Sequence, residues 1–522
     1  MDALTLHSPI LAVAIPLFAA FAVPLMGRLL GSRARDGFVI ASLLAMLFVV
    51  VLLAGDVYAS GIRVYTLGAV SPAQSIPDSH MVPVRLILEV DGLGALMAII
   101  TAVVALAGAI YSIASIKPET GQDRFYTLLL LLTVGMMGIQ LTGDMFNLFI
   151  FLEILSISGA ALAAFRTRFV DAVEGGFKYI IISTVGALFF LMAIGIFYGQ
   201  YNALNIAAIA SAMQYSVLDQ VALALILAAL LMKSGAVPSH WWVPDTYTPA
   251  PAGTSPIMYA SSLACLAATF RMTFSLYGVQ MNLATVGWIV IIAGVLSMFV
   301  GVTMALRQTD IKRLMVYHVI SQEGYMLLGV GVGLAVLGNP QAIAAYGREA
   351  IAGGLFHVIN NAFFKGLLLL TAEALFFRLG TRDLNQMGGM GRTMKWTCAF
   401  FLIGALAISG VPPFNGFASK LMIYEATYLF NPLLTIIAVI VSVMTLASFT
   451  KVFQSAFTGP ALPEYREVRE VPLSMKIGMG LLAFATVFIS LFPSLVVDTI
   501  IYPATDALLD QSGYIAAVMG GG

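Results

Sequence analysis

The stretch LMKSGAVPSHWWVPDTYTPAPAG, residues 231 to 253, follows VALALILAAL (221 to 230), a run without a polar side chain. Lys233 stands at the end of that apolar run, and Pro238 follows it. A lysine in hydrocarbon costs roughly 2.5 to 3.5 kcal/mol on insertion scales, so either a partner compensates for it or a function requires it. Which of the two holds depends on how many such runs the chain has and which charges lie inside them.

The chain has 522 residues, 60% of them hydrophobic and 10% charged, with no net formal charge. Its mean hydropathy is +0.96. Such a sequence is too apolar for one soluble core and needs lipid to cover it, so an all-α polytopic membrane protein is expected. Cys265 and Cys398 lie in apolar segments without a CxxC or Cys/His cluster. Neither a disulfide framework nor a zinc or iron-sulfur site is indicated, and redox chemistry is expected in a partner. The N-terminal apolar run, Pro9 to Leu30, is preceded only by Asp2 and His7 as ionisable side chains and reads as a retained span, not a cleaved signal.

Runs of about the 17 to 25 residues that cross a bilayer fall at about 8 to 30, 37 to 55, 91 to 115, 125 to 142, 145 to 165, 176 to 199, 220 to 238, 255 to 277, 284 to 306, 313 to 337, 349 to 377, 397 to 425, 431 to 456 and 474 to 497. Fourteen spans are therefore expected. Spans 4 and 5 are parted only by Thr142, Gly143 and Asp144, and span 12 is interrupted by SGVPPFNG (409 to 416). Cytoplasmic loops carry the basic excess in membrane proteins. Odd-numbered loops, Lys312 included, hold 19 of the 26 lysines and arginines, and even loops hold four: Arg63, Arg85, Arg271 and Arg348. This alternation predicts cytoplasmic odd loops and both termini outside. The remaining three, Lys233, Lys365 and Lys420, lie within apolar spans.

Lys233 precedes Pro238, and Lys420 follows Pro412 and Pro413, so both sit on helices that proline interrupts in mid-membrane. Broken backbone at that depth is tolerated where protein or a water-lined cavity satisfies it. The breaks fall in spans 7 and 12, which predicts two inverted five-helix repeats, spans 4 to 8 and 9 to 13. The plainer alternatives are that Lys233 snorkels to an interface and that Lys420 belongs to a structural ion pair. In span 11, His357, Asn361 and Lys365 follow at i, i+4 and i+8 and share one stripe, as a hydrated path would require. From Arg348 to Arg378 that segment is longer than a bilayer needs, so it is tilted or broken. Glu153 lies nine residues beyond Asp144, about 13 Å into span 5 at the helical rise, with Ser156 and Ala160 on its face. A carboxyl there is either protonated and bonded to a neighbouring helix or paired with an intramembrane lysine. His318 and Glu323 begin span 10 near Lys312 and Arg313, where they serve a pathway or merely meet solvent at the interface. GVGVG (329 to 333) has no preceding strand and reads as helix packing, not a nucleotide loop.

The chain resembles the antiporter-like membrane subunits shared by respiratory complex I, the multisubunit Mrp cation/proton antiporters and membrane-bound energy-converting hydrogenases. The resemblance spans nearly the whole chain and rests on VDGLGALMA (90 to 98), NLFIFLEILSISG (147 to 159), KSGAVPSHWWVPDTYTPAP (233 to 251), QTDIKRLMVYHVISQEGYM (308 to 326), FHVINNAFFKGLLLL (356 to 370) and SGVPPFNGFASKLMIYEA (409 to 426). It implies that Glu153 and Lys233 form the coupled pair of a first half-channel, that His357 and Lys365 belong to a central hydrophilic axis, and that Lys420 ends that axis. The chain departs from the pattern in having Ala264 where many members carry a lysine on span 8, Gln322 for a histidine in span 10, and Asn361 for a second histidine in span 11. About 25 residues follow span 14, without the long lateral helix of the largest members, which places the chain nearer the hydrogenase-type and shorter Mrp-type subunits.

These readings predict a non-redox, ion-translocating subunit of a multisubunit redox-driven pump or Mrp-type antiporter in a prokaryotic plasma membrane, moving H⁺, Na⁺ or both. The alternative is a structural anchor for a redox module with no ion pathway of its own. A quinone-handling enzyme is disfavoured, since no cofactor motif is present. No cofactor, metal or nucleic acid is expected; the expected partners are other membrane subunits, a redox module and lipid. The expected organisation is a three-helix region (1 to 124), a first repeat (125 to 277), a second repeat (278 to 456) and a last helix with a short tail (457 to 522).

Overall fold

The computed structural model describes residues 3 to 67 and 86 to 520. Arg85, counted above in an even loop, lies outside the described residues. The chain begins with α1 (Ala3–Leu30) and α2 (Ser32–Ser60), followed by a two-stranded antiparallel ribbon of β1 (Arg63–Thr66) and β2 (Ile87–Val90), with Arg63 opposite Val90 and Thr66 opposite Ile87. Next come α3 (Gly92–Ser115), α4 (Gln122–Leu141), α5 (Met145–Ala163), α6 (Val170–Tyr201), α7 (Ile206–Ala212), α8 (Val217–Ser234), α9 (Trp242–Tyr247) and α10 (Ser255–Arg271). The remainder contains α11 (Ala284–Arg307), α12 (Ile311–Ala335), α13 (Pro340–Ala342), α14 (Arg348–Leu379), α15 (Lys395–Ser409), α16 (Asn415–Phe430), α17 (Pro432–Val452), α18 (Leu473–Leu491), α19 (Pro493–Val496), α20 (Tyr502–Leu509) and α21 (Gln511–Met519).

Eleven described helical segments are long and apolar enough to cross a membrane, with Val217–Tyr247 counted as one. The chain is a helical, polytopic membrane protein. Large apolar side chains such as Phe18, Phe21, Phe177 and Phe484 stand exposed on its outside, where lipid would cover them. Three expected spans are missing from those eleven. α12 and α14 are long enough but carry lysine, histidine, carboxyl and amide side chains, and α15 and α16 are each too short, being two pieces of the interrupted span 12. α14 runs unbroken for 32 residues, so of the two explanations for its length the break is excluded. At 1.5 Å per residue it is about 48 Å long, well beyond the roughly 30 Å hydrocarbon core.

Local chemistry explains the tight connections. Asp144 caps α5 by accepting from the Asn147 N–H at 2.8 Å, so three residues suffice between α4 and α5. Gly143 in that turn touches the Glu89 carboxyl so closely that a Cβ would overlap it. Small residues bring helices together elsewhere: Gly294 and Gly301 of α11 lie against α12, and Gly329 and Gly333 in the GVGVG segment lie against α14. That segment is helix packing, as its apolar setting indicated. The ribbon, α7 and the α20–α21 tail were not anticipated. The tail folds back, since Tyr514 donates to Glu89 at 2.5 Å and α21 packs against α7.

Candidate functional site

Lys233 occupies the last turn of α8, which Gly235 ends in a left-handed conformation (φ 93°). The freed carbonyls and amides at this break find protein partners: the Trp242 indole donates to Met232 O at 3.0 Å, and the Val237 N–H donates to Ser297 Oγ of α11 at 3.0 Å. Lys233 lies in the last turn of α8, where the negative end of the helix dipole favours a cation. Lys233 Nζ donates to Ser156 Oγ at 2.6 Å and stands 3.6 Å from Glu153 Oε1, both on α5. Its side chain is 2% exposed, so it does not snorkel to an interface; that of Glu153 is 30% exposed. The lysine is thus bonded to a hydroxyl and only loosely paired with the carboxylate, an arrangement in which a small shift of either helix changes the balance.

The second break mirrors this chemistry. α15 ends at Ser409 with Gly410 left-handed (φ 73°), and Lys420 of α16 donates from Nζ back to Ile408 O at 2.8 Å and to Ser442 Oγ at 3.1 Å. Its ammonium lies 4.7 Å from the centroid of the Tyr325 ring. Among the described residues no carboxylate pairs with it, so the ion-pair alternative does not hold. Asn360 and Asn415 bond to each other across this break, Asn360 Nδ2 to Asn415 O at 3.1 Å and Asn415 Nδ2 to Asn360 Oδ1 at 3.0 Å.

Between the breaks, α12 and α14 face each other with the expected stripe. His357 Nε2 donates to Gln322 Oε1 at 3.2 Å, which leaves Nδ1 to accept from the Ser419 hydroxyl at 3.0 Å. Lys365 Nζ donates to Met315 O at 3.3 Å and lies 5.5 Å from the Phe449 ring centroid. His318 Nε2 is 2.7 Å from Ser448 Oγ, and its ring also lies against Phe449. His318 interacts electrostatically with Lys365 and Lys420, and those two lysines with each other. Asn361 is buried, and among the described residues neither of its amide atoms has a hydrogen-bond partner. His318 and Glu323 are fully buried, which corrects the interfacial, solvated alternative: the charged cluster near them covers the end of α12 and does not open it.

A profile of the family described as "NADH:quinone oxidoreductase/Mrp antiporter, TM" matches residues 142 to 445. The chain belongs to that family. Among its relatives, the D component of a Na⁺/H⁺ antiporter from Alkalihalophilus pseudofirmus is 30% identical over 497 residues, covering 93% of this chain and 94% of the relative. The N component of NADH-quinone oxidoreductase from Desulforudis audaxviator is 31% identical, covering 95% and 98%. A chain in the structure of an archaeal membrane-bound sulfane sulfur reductase, a respiratory membrane complex, superposes with a TM-score of 0.85 at 26% identity, covering 98% of this chain and 99% of that one. A chain of the Mrp complex from Dietzia sp. DQ12-45-1b shares the fold with a TM-score of 0.85 at 22% identity, covering 99% and 100%.

This antiporter-family chain holds further buried charges that sequence reasoning did not place. Lys312, assigned above to a cytoplasmic loop, is fully buried; it pairs with Glu373 at 2.5 Å and donates to Ala250 O at 2.7 Å, while Arg382 reaches the same carboxylate at 3.0 Å. Arg271, assigned to an outer loop, makes a bidentate pair with Asp91. Ala264, the position expected to lack a lysine, lines a small cavity with Gln140 and Arg271, and the next residue, Cys265, lies near Lys233.

Burial pushes the Glu89 carboxyl up to about 7, against the hydrogen bonds from Tyr514 and Asn205 and the attraction of Arg271. An unfolded glutamate titrates near 4.5, so between that value and about 7 the folded state binds more protons than the unfolded one. Stability from this group is full below the unfolded value and falls as pH rises through the folded one. Thermal unfolding followed across that window is expected to lose part of its downward slope in Glu89→Gln; an identical slope in the variant would refute the assignment.

Proposed function

We propose that the chain is the ion-translocating membrane subunit of a multisubunit complex in a prokaryotic plasma membrane, working through buried Glu153, Lys233, His357, Lys365 and Lys420. The single observation that carries this reading is the Lys233 site: a buried ammonium at a broken helix end, hydrogen-bonded to Ser156 and 3.6 Å from Glu153. A carboxylate at close range favours the ammonium; as it retreats, desolvation favours release of the proton. A driving event in a partner that alters this separation would move a proton toward His357, Lys365 and Lys420. His318 and Asn361 border that path. H⁺ is the ion this chemistry serves most directly; the Na⁺/H⁺ antiporter relative supports Na⁺ as a coupled ion.

The same reading assigns fourteen crossings, with the eleven apolar segments joined by α12, α14 and the α15/α16 pair. It divides the chain into a three-helix region (1 to 124), two inverted repeats (125 to 277 and 278 to 456) and a terminal helix with tail (457 to 522), both termini outside. The partial exposure of Glu153 half-way along an apolar helix supports a partner, since a carboxyl facing lipid is costly. We assign that cover to another membrane subunit and the driving reaction to a redox module or a coupled ion gradient. The test is ion flux through the intact, reconstituted complex, with its co-purifying subunits identified by mass spectrometry. Lys233→Ala is expected to assemble and to lose flux; undiminished flux overturns the reading.

A further inference from the structure

Glu323 is fully buried on α12, and neither carboxyl oxygen has a hydrogen-bond partner among the described residues. The titratable groups near it belong to the first half of the chain. It interacts electrostatically with Tyr247 of α9 and with Tyr259 and Cys265 of α10, and Cys265 in turn interacts with Lys233. Tyr259 Oη is likewise buried without a partner among the described residues, whereas Tyr247 Oη donates to Met258 O at 2.8 Å and lies 2.7 Å from Ser262 Oγ. The next residue back on α12, Gln322, accepts from His357 and so belongs to the second half. Adjacent positions of one helix therefore address both charged clusters. Other buried carboxylates have partners, Glu373 and Asp91 a cation, Glu89 and Asp219 hydrogen-bond donors, but among the described residues neither a cation nor a donor meets Glu323. An unpaired carboxyl in such a site is carried most cheaply as the neutral acid.

We propose that Glu323 is the proton carrier joining the Lys233 half-channel to the His357–Lys365–Lys420 axis, its neutral acid form passing one proton across the seam between α9 and α12. The inference rests on the ion-translocation reading above. In the forward direction the carboxyl gives its proton to the second half, where His357 Nδ1 receives it as the Ser419 hydroxyl that donates to it turns away, and the resulting carboxylate takes one proton from the Lys233 ammonium. The lysine becomes a neutral amine, Glu323 returns to the acid, and one proton has moved. Nothing else is consumed.

The test uses the intact complex in proteoliposomes with Glu323→Gln, which keeps the volume and removes the exchangeable acid proton. Flux is expected to fall by about 100-fold, the lower end of what a positioned proton-transfer group contributes. The infrared band of a protonated carboxyl is expected to disappear with it. Wild-type flux in Glu323→Gln overturns the proposal. If that variant does not assemble, Glu323→Asp decides: withdrawing the acid by one methylene is expected to slow flux several-fold, and wild-type flux overturns the proposal. Lys233→Ala run in parallel separates the two levels. Loss of flux in Lys233→Ala with normal flux in Glu323→Gln removes only the carrier role, while normal flux in both removes the translocation reading itself.

Discussion

Replacing Lys233 with alanine is expected to silence ion flux while leaving the complex assembled. The substitution removes one hydrogen bond to Ser156 and a loose pair with Glu153, together worth about 1 to 3 kcal/mol. That is less than the roughly 3 to 5 kcal/mol that breaking a tight buried pair costs, because Glu153 remains partly exposed. Flux should nevertheless fall by about 100-fold or more, since the α8 break then has no ammonium to hold the proton. Lys233→Arg sharpens the test. Guanidinium keeps the charge but does not release a proton, so it is expected to be as silent as alanine. A variant complex that is missing from the membrane, not present and inactive, would favour the structural-anchor alternative.

Arg271→Ala is expected to have the opposite signature, damage to stability first. Arg271 Nη1 and Nη2 donate to the two oxygens of Asp91 at 2.9 and 2.6 Å, and Asp91 also caps α3 by accepting from the Gly94 N–H at 2.9 Å. Both side chains are nearly inaccessible, so removing the arginine strands a buried carboxylate at a cost of about 3 to 5 kcal/mol. Against a typical total of about 5 to 15 kcal/mol, this is enough to lower the yield of folded protein and the thermal midpoint in detergent sharply. Arg271→Leu combined with Asp91→Asn removes both charges and is expected to recover much of the loss. If the double variant is as unstable as Arg271→Ala, the pair is not what holds α3 to α10.

Lys233, Lys365 and Lys420 were legible in the sequence because each interrupts an apolar run, and prolines marked the two breaks. The stripe of His357, Asn361 and Lys365 was legible from helical spacing alone. Lys312 was not: it sits at a span end beside Arg307 and Arg313, where a buried lysine and a cytoplasmic one look alike, and its partner Glu373 is far along the chain. A signal for Glu373 did exist, a carboxylate inside LLLLTAEALFF, but without a pairing rule it pointed nowhere. Ser419, Ser442 and Ser448 complete the second-half site and could not be chosen from sequence, because serines in membrane helices commonly bond their own backbone. The ribbon of β1 and β2 escaped notice because four residues per strand leave too little alternation to read.

The polarity of α12 bears on how the protein is made. Taken alone, a helix with Lys312, His318, Gln322 and Glu323 is a poor candidate for lateral release from a translocon into lipid. Its immediate predecessor α11 is apolar and carries the glycines that fit against α12, and α10, already synthesised, is buried along its whole length. Membrane integration of the second half is therefore expected to be cooperative: if α12 and α14 cross the membrane, they enter against waiting protein surfaces, and the order of translation along the chain becomes a condition for accommodating their charges.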